Sequence, residues 1–123
     1  MFKPELYKTL SRELVISGLS RSVQVTIETM PCDSDPMDQS FESKEQAVIF
    51  ERKLNDGTYF NAVVIVRASL CGESGSDILG GCIIAPDYTV EHVVADHGMI
   101  DNALAELKSN LESKRILLNK LFA

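Results

Sequence analysis

A chain of 123 residues is one domain by length and too short for two ordinary ones, and 45% hydrophobic with 24% charged residues argues against intrinsic disorder. Eighteen Asp and Glu against twelve Lys and Arg leave a net charge of −6, which argues against a general nucleic-acid binder. No apolar run approaches the ~20 residues of a membrane span, and the opening MFKPELYKTLSRE lacks the apolar stretch of a signal peptide.

Pro4 suits the first turn of a helix, where its missing N–H would be unpaired anyway. Leu6, Leu10 and Leu14 recur every four residues, with Lys3, Lys8, Arg12 and Glu13 off that stripe. Gly18 is a natural stop, so the spacing predicts an amphipathic helix over 4–17. Residues 22–30 change to period two, with Val23, Val25 and Ile27 on one face and Gln24, Thr26 and Glu28 on the other, the pattern of a half-buried strand. The following PCDSDPMDQSFES reads as a long exposed loop, ending in a short strand at Gln39–Phe41.

In 43–54, Ser43 and Gln46 have capping-box spacing, and Ala47, Phe50 and Leu54 share a helical face, so a short helix is expected. Asn55-Asp56-Gly57 then ends it; a strand in the same place would make those residues a hairpin turn instead. Tyr59–Leu70 holds consecutive Val63, Val64, Ile65 and Val66, which predicts a central strand covered on both faces. CGESGSD is read as the turn after it, and Ile78–Ala85 as the returning strand, with a bulge or close backbone approach at Gly80-Gly81. After Pro86-Asp87, alternation of Tyr88, Val90, His92 and Val94 with Thr89, Glu91 and Val93 predicts a strand over Tyr88–Ala95 that completes a meander.

Met99–Leu121 contains no Gly or Pro, and Ile100, Leu104, Leu107, Leu111, Lys114, Leu118 and Leu121 fall at spacings of four and three. A helix of that length outruns a strand, so its last turns should overhang the sheet. Leu111, Leu118, Leu121 and Phe122 are therefore expected to form a homodimer interface. The expected architecture is a single α+β domain over 1–123. It has an antiparallel sheet of about four strands, an N-terminal helix, a short middle helix and a long C-terminal helix.

Charge is unevenly placed. Lys3, Lys8, Arg12 and Arg21 outnumber Glu5 and Glu13 at the start, and Lys108, Lys114, Arg115 and Lys120 outnumber Glu112 at the end. Between Arg67 and Lys108 there is no Lys or Arg, while Glu73, Asp77, Asp87, Glu91, Asp96, Asp101 and Glu106 occur there. The macrodipole of the last helix accounts for Asp96, Asp101 and Glu106, with Asp96 also a suitable N-cap. Glu73, Asp77, Asp87 and Glu91 stay unexplained, and are the candidate surface for a basic partner.

Signals for chemistry are weak. Cys32, Cys71 and Cys82 are odd in number and lack CxxC spacing, the usage of free thiols in a reducing cytoplasm. Cys71 and Cys82 could face each other across a hairpin, and Cys82 could meet His92 across neighbouring strands. His92 and His97 are five apart, neither strand nor HExxH spacing, so no metal site is expected. CGESGSDILGG lacks the GK[ST] ending and the following helix of a phosphate loop, and no cofactor is expected.

The function expected from these residues is that of a small acidic cytoplasmic protein-interaction module acting as a homo-oligomer. It would be an adaptor, a subunit or an inhibitor, such as the accessory proteins that phages and mobile elements carry, without direct contact to nucleic acid or membrane. The alternatives are a small-ligand or nucleotide-binding protein with a pocket near Gly80-Gly81 and His92, and a hydrolase-type enzyme using His92, His97 and Asp96.

Overall fold

A computed structural model describes residues 4–37 and 40–122, with side chains in the last helix described through residue 115. In chain order the elements are strands β1 (Glu5–Ile16) and β2 (Leu19–Pro31), helix α1 (Lys44–Asn55), strands β3 (Phe60–Leu70) and β4 (Glu73–Ile84), and helices α2 (Val90–Asp96) and α3 (Met99–Phe122). The strands form one antiparallel sheet in the order β1-β2-β3-β4. The α+β class, the antiparallel sheet and its strand number agree with the sequence pattern. The first helix, however, follows two strands instead of opening the chain.

Residues 4–17 are thus a strand, not a helix. Leucines four apart satisfy period two as well as 3.6, so Leu10 and Leu14 alone cannot separate the two. They share a face with Lys8 and Arg12, as the pairs Lys8↔Ile27, Leu10↔Val25, Arg12↔Val23 and Leu14↔Arg21 require. The register slips between Leu6 and Lys8, so Tyr7 is a bulge residue and Leu6 falls on the opposite face from Leu10. Gly18 is no helix stop either. Ser17 at φ +52° and Gly18 at φ +80° form a two-residue turn with both centres left-handed, the geometry whose twist matches a hairpin.

The second hairpin repeats this device. Cys71 (φ +54°) and Gly72 (φ +79°) are its whole turn, so Glu73–Asp77 already belongs to β4 and is not part of a long turn. The expected bulge at Gly80-Gly81 is present, where the β3–β4 register shifts between Ala62↔Cys82 and Val64↔Leu79. Cys71 is exposed in the turn while Cys82 lies opposite Ala62, so these two thiols do not face each other; all three cysteines are free.

Tyr88–Ala95 is the other corrected element. Ala85 and Tyr88 exchange backbone hydrogen bonds of 3.0 and 3.1 Å around Pro86-Asp87, and the chain then turns into α2. Val90, Val93 and Val94 are buried at helical spacing, although Val93 fell on the opposite face in the strand reading. In place of the usual capping glutamate, His92 Nδ1 accepts the Thr89 backbone N–H at 3.0 Å. Asp96 does not cap the last helix. It ends α2 and accepts the Tyr88 hydroxyl at 2.8 Å, and Gly98, at φ +57°, makes the link to α3.

The core lies on one face of the sheet. Val23, Val25 and Ile27 of β2 and Val64, Val66 and Ala68 of β3 pack beneath Val90, Val93 and Val94 of α2 and Met99, Ala103 and Leu107 of α3. Among the described side chains the fully buried stripe of α3 is Met99, Ala103 and Leu107; Ile100, Leu104 and Leu111 of the expected seam pack beside it partly buried, and the seam positions Leu118 and Leu121 lie outside the described side chains. Gly75 permits this packing. A Cβ there would lie 2.3 Å from both the Ala103 carbonyl oxygen and the Leu107 nitrogen, so α3 rests directly on the β4 backbone.

On the opposite face the row Leu6–Glu28–Ile65–Ile78 crosses all four strands. Among the described residues no helix packs on this face, so β3 is not covered on both faces as its apolar run predicted: Ile65 is shielded to 4% exposure within the sheet, whereas Arg67, Ser69, Leu6 and Ile78 are exposed.

The expected helix at 43–54 is α1, with the Gln46 backbone N–H donating to Ser43 Oγ at 3.2 Å. It buries no residue. Phe50 instead packs between Phe41 and Tyr59 in tilted contacts, with centroids at 5.3 and 5.5 Å, forming a satellite cluster away from the main core. Ser40 and Phe41 are irregular, and Gln39 lies outside the described residues, so the short strand at Gln39–Phe41 is not formed by the described part.

Candidate functional site

The two edges of the sheet differ. β4 is covered by α3, along which Asn102 Nδ2 donates to Asp77 Oδ2 (2.9 Å), Asn110 Nδ2 to the Ser74 carbonyl (2.8 Å) and Lys114 Nζ to Glu73 Oε1 (2.6 Å). The Asn110 contact occupies a strand carbonyl at the sheet's edge. β1 has β2 on one side only. A two-residue turn makes its closing pair, Ile16↔Leu19, a hydrogen-bonded one, and the ladder then alternates. The backbone groups of Thr9, Ser11, Glu13 and Val15 consequently point outward.

Exposed apolar side chains gather on the same hairpin: Leu6 (64%), Tyr7 (44%), Val15 (55%) and Leu19 (58%). Between β1 and the α2–α3 corner runs an open groove of about 360 Å³. Leu10, Ile27, Val94 and Ile100 form its apolar lining; Lys8 and Arg12 stand on the strand side, Glu91 and Asp101 on the helix side. Lys8 Nζ reaches Glu91 Oε1 at 3.4 Å, with both side chains half exposed. The Arg12 guanidinium donates to the Ser11 carbonyl at 3.0 Å and is in no ion pair among the described residues.

Lys8, Leu10 and Arg12 were missed in the sequence because they sat inside a misassigned helix. Their period-two alternation with Thr9, Ser11 and Glu13 was the available signal. It was weakened by Leu, Lys, Arg and Glu, all better helix formers than strand formers.

The four singled-out carboxylates are not gathered. Glu73 and Asp77 lie along the β4 edge against α3, Glu91 reaches toward β1, and Asp87 lies in the exposed turn before α2. Lys114 is held above its ordinary pKa by the hydrogen bond and charge of Glu73. Among the described residues Asp87 is the member of the set with no side-chain partner. Of the expected dimer residues, Leu111 packs against the chain's own core, and the side chains of Leu118, Leu121 and Phe122 lie outside the described residues.

The histidines serve local structure. His92 stacks on Tyr88 at 5.8 Å between centroids and 13° between planes, while its Nδ1 is occupied by Thr89. The Asp96 carboxylate that holds the Tyr88 hydroxyl raises the pKa of that phenol. No strand pairing brings His92 to Cys82, because His92 is helical. His97, Cys82, Tyr88 and the Gly80-Gly81 bulge do line a second open cleft of about 430 Å³. Among the described residues, no three His, Cys, Asp or Glu side chains are grouped to hold a metal ion, and no helix is long and apolar enough to cross a membrane.

No family model, curated protein or solved structure matches the chain.

Proposed function

We propose that the chain is a protein-interaction module whose binding edge is β1. One observation carries this: α3 lies along β4 and touches β1 far less, and the β1–β2 hairpin that ends in this less covered edge is also where Leu6, Tyr7, Val15 and Leu19 are exposed. An open strand offers backbone hydrogen bonds to an extended partner, and apolar side chains at the same place supply the contact area. A basic partner held by the acidic residues is a separate and weaker reading, since Glu73, Asp77 and Glu91 already have partners in the chain. Acting as an adaptor or inhibitor, as a homo-oligomer and in the cytoplasm all belong to the proposal and rest on the sequence.

Selection from a displayed library of extended peptides tests it, with amide exchange locating the bound site. Enriched peptides should slow exchange at Thr9, Ser11, Glu13 and Val15. Failure to enrich any peptide, or protection confined to other elements, overturns the proposal. The cleft at Gly80-Gly81 supports small-ligand binding as a second reading. A thermal shift with a nucleotide, abolished by filling the cleft through Gly80→Leu, would favour it.

A further inference from the structure

Resting on β1 as the binding edge, we infer that the occupant is an extended partner segment in which acidic and apolar residues alternate at every second position. The helix-facing side of β1 presents Lys8, Leu10, Arg12 and Leu14 in that order. In an added strand, residues directly opposite share a face, so its own helix-facing side chains would stand beside these four. Carboxylates opposite Lys8 and Arg12 would meet cations, one weakly engaged with Glu91 and the other without an ion pair among the described residues. Apolar residues opposite Leu10 and Leu14 would close the open side of the groove that Leu10 lines. Arg21, opposite Leu14 on β2, adds positive charge to the same face. Glu91 and Asp101 stand across the groove on the helices, and Glu5 lies beyond the Tyr7 bulge.

The same residues disfavour a second copy in this place. A two-fold antiparallel pairing of β1 with itself centred on Leu10 sets Lys8 opposite Arg12. Centred on Arg12, it sets that residue against its own copy, and centred on Glu13 it does the same with carboxylates. Centred on Ser11, it leaves Arg12 diagonal to Lys8 and Arg12 of the other copy. Like charges near the pairing edge are a usual guard against self-addition, whereas a segment bearing carboxylates relieves them.

The test measures binding of the labelled peptide Val-Thr-Glu-Thr-Val-Thr-Glu by fluorescence anisotropy, with the Lys-for-Glu peptide as its counterpart. The wild-type chain should bind the acidic peptide, and the basic one about tenfold more weakly. Arg12→Glu combined with Lys8→Glu should reverse that order. Ser11→Pro should abolish binding of both, because it removes an outward N–H; the fold should survive, since proline is tolerated at sheet edges. Circular dichroism and thermal melting confirm that each variant is folded. Equal binding of the two peptides, or binding untouched by a folded Ser11→Pro variant, overturns the inferred segment while leaving the module proposal standing. A chain that sediments as a dimer, and as a monomer once Ser11→Pro is made, assigns the edge to a second copy and likewise overturns it.

Discussion

The Cys32 thiol lies 3.0 Å from Ser34 Oγ and accepts the Gly81 backbone N–H at 3.4 Å, at the end of β2 beside the β4 bulge. The Ser34 hydroxyl, then the backbone groups of Ser34 and Gly81, favour the thiolate and hold Cys32 below the ordinary thiol pKa. Burial among apolar neighbours moves Cys82 the other way. Since the thiolate is the nucleophile, a lowered pKa shifts the midpoint of alkylation to lower pH. Mass-spectrometric alkylation of the native chain should label Cys32 with a midpoint below that of an ordinary free thiol, and spare Cys82. Ser34→Ala should move the Cys32 midpoint up; an unchanged midpoint would show that Ser34 does not set it. Cys71 is a different case, exposed and at φ +54° in a turn that favours Asn-Gly. Cys71→Asn should stabilise the chain by about 0.5–1 kcal/mol in a urea melt, because Asn adopts the left-handed region more readily.

At the level of elements, β4 and α3 depend on a backbone contact. Gly75 and Ala103 are small residues in facing elements, and together they let Leu107 descend fully into the core. Gly75→Ala forces a methyl into the space of the α3 backbone, which cannot rotate away as a side chain could. It should cost about 3 kcal/mol, read as a fall in Tm and in the denaturant midpoint. Gly80→Ala is the control: its added Cβ would meet only Cys32 Sγ, at 3.9 Å, so a small change is expected. Similar losses for both variants would mean that β-strand glycine content, and not helix approach, sets the cost.

In the whole molecule, both two-residue turns lie at one end of the sheet, and the 32–59 connection with α1 lies at the other. α3 reaches the turn end by residues 114 and 115, where Lys114 pairs with Glu73 and Arg115 donates to Ser17. Its backbone then continues as helix to Phe122, roughly 10 Å further at 1.5 Å per residue. The sequence there includes Ile116, Leu117, Leu118, Leu121 and Phe122. Self-association through this projecting helix is proposed. Leu118→Asp should turn a dimer into a monomer in sedimentation, since burying an unpaired carboxylate costs several kcal/mol. Sedimentation of the wild-type chain as a monomer at tens of micromolar, the order expected for a weak dimer, would exclude it. Because Leu118→Asp and Ser11→Pro act at different places, they separate helix-mediated from edge-mediated dimers.

The chain's own residues determined its α+β class and several elements without help from distant neighbours. Val23, Val25 and Ile27 alternate over a β-branched run, Ser43 supplies a cap three residues before Gln46, and no glycine or proline interrupts Met99–Leu121. In each of these, local propensity and apolar period agree. Over residues 4–17 and 88–95 they conflict: good helix formers make up much of β1, and three of the seven residues of α2 are valines. Spacings of four residues fit both periods, so pairing with β2 and packing against β3 decided those segments. The candidate site depended on the same decision. Lys8, Leu10 and Arg12 became neighbours on one face only when their segment was strand, and β1 became an open edge only when α3 lay over β4 instead. Such an edge is a relation among strands distant in sequence, set by which faces exclude water together, and no single segment encodes it.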